Sequence, residues 1–189
     1  MHPSLHMSTF AIDVPASLLA RLKAGDAAAL EQVYRLFERP VFSLAWRLLG
    51  DRDEAQEVLH DAMLALIDRI GQFRGDAPFW GWLRQICVNE ALMRLRKRRL
   101  DYVDDVPEPE AVARTLEPAI ERADLERALE GLSPTARSVV WLFYVEGYSH
   151  DEIARAFDKT VSFSKTQLMR GTRRLRDLLE VGKGATAYA

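Results

Sequence analysis

Phe73, Phe79, Trp80 and Trp82 crowd one short span around an Arg74-Gly75-Asp76 turn. The chain then runs through Asn89 into a cationic cluster, Arg94, Arg96, Lys97, Arg98 and Arg99. This combination suits single-stranded or melted nucleic acid, because aromatic faces take up unstacked bases and Lys/Arg neutralise phosphates. The competing reading is an ordinary aromatic core, since Phe and Trp at helical spacing are usually buried. Trp80 and Trp82 fall on different faces of one helix. Covalent chemistry has no comparable constellation. The acids and histidines show no His-Glu-x-x-His spacing, and the chain has no phosphate-binding glycine loop and no paired nucleophile and base.

The elements that must position these residues are helices. Apolar residues recur at steps of three and four through Leu30, Val33, Phe37, Val41, Leu44 and Leu48, then through Val58, Leu59, Ala62, Leu66 and Ile70. Gly25-Asp26 and Gly50-Asp51 punctuate these stripes, each Asp being a good N-cap. Gly75-Asp76 opens the next helix, expected to reach about Arg99. Beyond it Pro107, Pro109 and Pro118 alternate with Asp104, Asp105, Glu108, Glu110 and Glu117, the texture of an extended acidic linker. A second helical unit follows, with Ser133-Pro134 as cap and first helical position. Ser149-His150-Asp151-Glu152 reads as a capping box. The fold class is therefore all-α: two small helical domains joined by an acidic, proline-containing linker.

The second unit carries its own constellation. The segment 152–157, a turn at Asp158-Lys159, then Thr160 and a basic helix form a helix-turn-helix layout. Ala154 lets the helices approach, and Ile153, Phe157, Val161 and Leu168 hold them together. The second helix would present Ser162, Lys165, Thr166, Met169 and Arg170 to a major groove, with Arg173 and Arg174 adding charge for the backbone. Two short helices in any bundle can imitate this pattern.

Composition narrows the classes. With 189 residues, 48% of them hydrophobic, the chain can build real cores. The net charge of −2 means that the molecule is not basic overall, so its charge pattern matters more than its sum. A single cysteine, Cys87, cannot form an internal disulfide and fits a reducing cytoplasm. No apolar run approaches a membrane span, and residues 1–15 lack the order of a signal peptide. His2 and His6 have no Cys, Asp or Glu beside them, so no metal is expected there.

Taken together, the two ends of the chain resemble the extracytoplasmic-function group of bacterial RNA polymerase sigma factors, over roughly Leu18 to Leu179. Phe73-Arg74-Gly75-Asp76, Phe79, Trp82-Leu83, Ile86 and Asn89 match that family's strand-opening and −10-reading segment. Leu132-Ser133-Pro134, Arg137, Phe143, Gly147-Tyr148-Ser149 and Glu152-Ile153-Ala154, with the basic helix 165–176, match its −35-reading domain. The helix 54–61 is similar to the acidic helix that grips the polymerase clamp.

The resemblance implies a flexible segment at 1–17, a region 2-like domain at 18–99, a linker at 100–118, a region 4-like domain at 119–181 and a tail at 182–189. It implies core RNA polymerase and promoter DNA as partners, an anti-sigma factor, often linked to the membrane, as a further partner, no direct membrane insertion of this chain itself, and no cofactor, metal or enzymatic activity. Glu54, Glu57 and Asp61 would bind core polymerase. Arg74, Trp80, Asn89, Arg94, Arg96 and Lys97 would serve the −10 element. Ser162, Lys165, Thr166, Met169, Arg170, Arg173 and Arg174 would serve the −35 element.

The chain departs from the family pattern at Gln56, His60, Met93 and Asp158. At Ser162 and Ser164 it replaces a glycine and an aliphatic residue. An altered start of the recognition helix, with Phe163 filling the pocket, stays open. So do two rivals: a stand-alone helix-turn-helix regulator, and a helical enzyme or scaffold.

Overall fold

The computed structural model describes residues 12–101 and 122–186, and among these all regular structure is helical. Eight α-helices run in order: α1 Ala16–Lys23, α2 Ala27–Leu49, α3 Arg52–Arg69, α4 Phe79–Asp101, α5 Arg122–Glu130, α6 Pro134–Tyr144, α7 His150–Phe157 and α8 Val161–Thr186. A 3-10 turn, Ile70–Gln72, follows α3. The chain divides into two compact units, Ser8–Arg94 and the residues from Leu95 onward, so the divide falls inside α4.

The punctuation in the first unit acts locally as its chemistry dictates. Asp26 accepts from the backbone N–H groups of Ala28 and Ala29, and Asp51 from those of Asp53 and Glu54. These side chains satisfy N–H groups that a helix start leaves unpaired. Gly50 closes α2 in the left-handed region at φ 74°, where glycine pays no Cβ penalty. Pro40 lies inside α2, yet the helix continues. The lost hydrogen bond costs about 3 kcal/mol, and the fully buried Phe37 and Val41 on either side outweigh it. The core joins Val33, Phe37, Val41 and Leu48 of α2, Val58 and Leu66 of α3, and Leu83, Val88 and Leu92 of α4. Cys87 is buried here, its thiol donating to the Val41 carbonyl at 3.6 Å, which makes it a structural residue.

In the second unit Ala128, Leu129, Leu132, Val140, Leu175 and Leu179 form one apolar cluster. Arg137 is buried among them at 6% exposure. Its guanidinium donates to the carbonyls of Leu129 and Glu130, both at 2.7 Å, and of Leu132 at 3.2 Å. It thereby satisfies carbonyls that the end of α5 leaves open. Burial lowers its pKa, and the neighbouring Glu130 charge opposes that shift. Helix α6 begins as expected, with Ser133 as cap and Pro134 at its first position.

Three boundaries differ from the sequence expectation. Helix α4 starts at Phe79 rather than at Gly75-Asp76, because Gly75 sits at φ 85° and Pro78 precedes the first turn. Helix α4 runs to Asp101 and α8 to Thr186, each past its expected end. The acidic proline-containing segment lies outside the described residues apart from the end of α4, as does most of 1–17.

Candidate functional site

In the first unit, the loop between the 3-10 turn and α4 is closed at its base by aromatic rings. Phe73 and Phe79 meet edge to face with centroids 5.4 Å apart, and both are buried. Trp82 packs on each of them, at 5.4 Å and 5.8 Å. Phe37 of α2 adds a fourth wall, 5.4 Å from Phe79 and stacked on Trp80 at 5.8 Å. Lys23 at the end of α1 donates to the Phe73 carbonyl at 2.7 Å, with its ammonium 5.7 Å from the Phe73 ring centroid. The chain from Arg74 to Pro78 is thus an exposed chord between two fixed points. Such a chord can offer backbone and side-chain polar groups to a ligand without paying for its own ordering.

Helix α4 divides its polar residues between faces. Asn89 is exposed and accepts from Gln85 at 3.1 Å, one turn earlier. Lys97 is exposed and Arg96 half-buried. Arg94 turns instead toward α3, where its guanidinium is paired with both Glu57 and Asp61, the latter at 2.6 Å. Burial alone would lower the Arg94 pKa, but the hydrogen bonds that its guanidinium donates to Asp61 and Glu57 outweigh it and raise the value. Gln56, Glu57, His60, Asp61 and Arg94 together line an open groove.

In the second unit α7 and α8 form the helix-turn-helix. Ser149 caps α7, its hydroxyl and its backbone N–H each bonded to Glu152, at 2.7 Å and 2.8 Å. Those bonds hold the Glu152 carboxyl below its ordinary value. Asp158 makes the turn at φ 54°, the left-handed conformation that Asp tolerates better than most residues. Thr160 accepts from the Phe163 N–H at 3.2 Å and so caps α8. Ser162, Lys165, Thr166, Met169 and Arg173 lie on one side of α8, with Ser162, Lys165 and Met169 exposed. Arg170 is half-buried and Arg174 exposed. This is a face of hydroxyls, cations and one thioether, the mixture that hydrogen-bonds base edges and pairs with phosphates.

Residues 33–100 match the model of Sigma-70 region 2, and residues 122–175 that of Sigma-70, region 4. The chain is 32% identical over 164 residues to the ECF RNA polymerase sigma factor SigM of Mycobacterium tuberculosis, covering 87% of this chain and 84% of that protein. The chain belongs to the extracytoplasmic-function RNA polymerase sigma factors. The sigma factor SigE of Mycolicibacterium smegmatis is 27% identical over 188 residues, covering 94% of this chain and 73% of that one. A similar fold occurs in the sigma factor RpoE from Bartonella quintana, solved in complex with the anti-sigma factor NepR. That chain superposes with a TM-score of 0.52 at 23% identity, over 80% of this chain and 96% of that one.

Two side chains sit differently from the sequence reading. Arg94 was expected to clamp a phosphate with Arg96, but two carboxylates of α3 already hold it. Helical geometry explains the difference: Arg94 lies on the side of α4 that packs on α3, about 140° round the helix from Asn89. Phe163 was the alternative filler of the recognition-helix pocket. It is only half-buried, 5.5 Å from Phe157, while Ser164 is the residue fully enclosed. Trp80 is half-buried with its ring already stacked on Phe37, so it offers less open surface than its sequence position suggests.

Glu57 and Asp61 come together at the groove, and Glu54 is half-buried one turn before Glu57. Arg74 stands exposed on the loop. Lys23, Phe37 and His150 carried no local signal for their roles, because each meets its partner only through tertiary packing. Among the described residues no group of His, Cys, Asp and Glu could hold a metal ion, and no helix is long and apolar enough to cross a membrane.

Proposed function

We propose that this sigma factor docks core RNA polymerase through Glu54, Glu57 and Asp61, engages the −10 element with residues 72–97, and reads the −35 element with the exposed face of α8. The observation that carries this reading is the aromatic-walled loop: an exposed chord, pinned at Phe73 and Phe79, that leads into α4, the helix whose far end carries Arg96 and Lys97. Extruding a base costs a few kcal/mol, which a preformed loop returns through stacking and hydrogen bonds that need no further ordering. Arg74 on the chord and Asn89 on α4 supply polar contacts, with Trp80 at the rim. Arg96 and Lys97 neutralise phosphates. On α8, Ser162, Lys165, Thr166 and Met169 face the base edges, while Arg170, Arg173 and Arg174 serve the backbone. The working division of the chain is a polymerase-binding and melting domain at 18–99, a linker at 100–118 and a −35 domain at 119–181.

This work is positional rather than catalytic. The chain lowers the cost of opening a promoter without making or breaking a covalent bond, and it needs neither cofactor nor metal. It acts in the cytoplasm, where the polymerase is. The similarly folded RpoE was solved with an anti-sigma factor, and we extend that class of partner to this chain. The test is reconstitution. Core polymerase with this chain should open a promoter selected by that holoenzyme, read as permanganate-reactive thymines at −10. Core polymerase alone should not. Opening without the chain, or none with it, rejects the reading.

A further inference from the structure

Ser164 is fully enclosed in the first turns of the recognition helix, yet its side chain is polar. A buried hydroxyl without a partner costs roughly 1–3 kcal/mol, so its contact matters. The partner is His150, whose Nδ1 lies 3.0 Å from Ser164 Oγ. His150 is the first residue of α7, and its ring stacks on Phe143 of α6 with centroids 4.7 Å apart and planes 26° apart. One imidazole therefore joins α6 by its face, α7 by its backbone and α8 by its nitrogen. Lys165, the residue after Ser164, is exposed on the base-facing side. Ser162 lies two residues before Ser164, also on that side.

We propose that His150 is a positioning residue for promoter recognition: through the buried Ser164 hydroxyl it sets the depth and rotation at which α8 presents Ser162, Lys165 and Thr166 to the −35 bases. Further along α8, Leu168 and Leu175 join the apolar cluster of the second unit. The base-reading end of the helix is thus held by the Phe157–Phe163 contact on one side and by the histidine on the other. Apolar packing tolerates rotation, whereas a hydrogen bond at 3.0 Å fixes direction.

Protonation bears on the same contact. Lys165 of α8 and Asp151 of α7 are the charged groups acting on the ring, and Phe143 of α6 covers its face. Burial first, then the Lys165 charge, lowers the His150 pKa, with Asp151 opposing. The first turn of α7 also disfavours a cation. The neutral ring is therefore the positioning form, and a charged ring beside Lys165 pushes the start of α8 away.

The proposal rests on α8 as the −35 reader, and the test separates the two. Holoenzyme, made from core polymerase and the full chain, selects bound templates from a pool randomised across the −35 element, and the recovered sequences are counted. His150→Phe and Ser164→Ala should each reduce discrimination at the positions facing Ser162, Lys165 and Thr166 by about tenfold. A loss of stability alone would lower binding to all templates alike and leave the base preference unchanged. His150→Asn, which keeps a polar atom near Nδ1, should restore the preference. Wild-type discrimination should fall only as pH drops past the ordinary imidazole range and through the lowered His150 value, and should stay level in His150→Asn. Unchanged preference in H150F and S164A, or the same pH profile in H150N as in wild type, overturns the positioning role alone. No −35 preference in the wild type overturns the reading of α8 and this inference with it.

Discussion

Arg94 separates composition from geometry at the scale of single residues. It belongs by sequence to a basic cluster, but its charge is spent on Glu57 and Asp61. Phosphate contacts release counterions, so each lost contact lowers the slope of binding against salt by roughly one. Arg96→Ala and Lys97→Ala should each lower that slope for holoenzyme on promoter DNA, and Arg94→Ala should leave it unchanged. A slope that falls with Arg94 would return it to the DNA surface. The cost of Arg94→Ala to folding should stay near 1 kcal/mol, because both partners are substantially exposed.

Arg137 is the opposite case. Its removal strips three carbonyls of their donor in a buried site, so Arg137→Ala should cost about 3 kcal/mol in urea unfolding of the second unit. Arg137→Lys should recover little, because an ammonium cannot reach three diverging oxygens at once. None of this was visible in the sequence, where Arg137 carried only a family match. Caps and turns were visible, because Asp26, Asp51, Ser133 and Ser149 act on N–H groups two or three residues away.

Among the helices, close approach decides which changes matter. A Cβ on Gly171 would lie 2.6 Å from Val140 Cγ2 and 3.3 Å from the Ala136 carbonyl, so α6 and α8 pack through that glycine. Gly171→Ala should destabilise the second unit by about 1–3 kcal/mol. Gly81 in α4 has nothing within 4 Å of such a Cβ, and Gly81→Ala should stabilise by about 0.5–1 kcal/mol. Calorimetric melting of both variants checks the pair, and equal shifts would refute the packing difference.

The capping box of α7 makes a pH prediction. The folded Glu152 value lies below its ordinary 4.5, so its contribution is present above that pH and is lost as pH falls through the lower folded value. Glu152→Gln should melt lower than wild type at pH 7, and the two should converge in acid. A gap that persists at pH 3 would assign the effect to packing. Periodicity made the helices themselves legible. It missed the start of α4, because a turn glycine and a proline hold the loop extended as far as Phe79.

On the scale of the whole molecule, a net charge of −2 sets what the free chain can do. Two cationic faces on a near-neutral protein give weak DNA binding by themselves. Polymerase holds both domains on one promoter, and the second contact then forms at a high effective concentration. The isolated chain should therefore bind promoter DNA at least a hundredfold more weakly than the holoenzyme at 0.15 M salt, measured by fluorescence anisotropy. Nanomolar binding by the free chain would contradict this. The order of the two domains was readable from joint motif order alone. The tie between the acids of α3 and Arg94 was not, because it spans more than thirty residues of sequence.

The most direct measurement is core RNA polymerase binding, with wild type beside a Glu54/Glu57/Asp61→Ala triple variant. Tight wild-type binding that the triple variant weakens at least tenfold is the expected result, and circular dichroism should show the variant folded. A wild-type chain that fails to bind core polymerase, or a folded triple variant that binds as well as wild type, would contradict docking through α3.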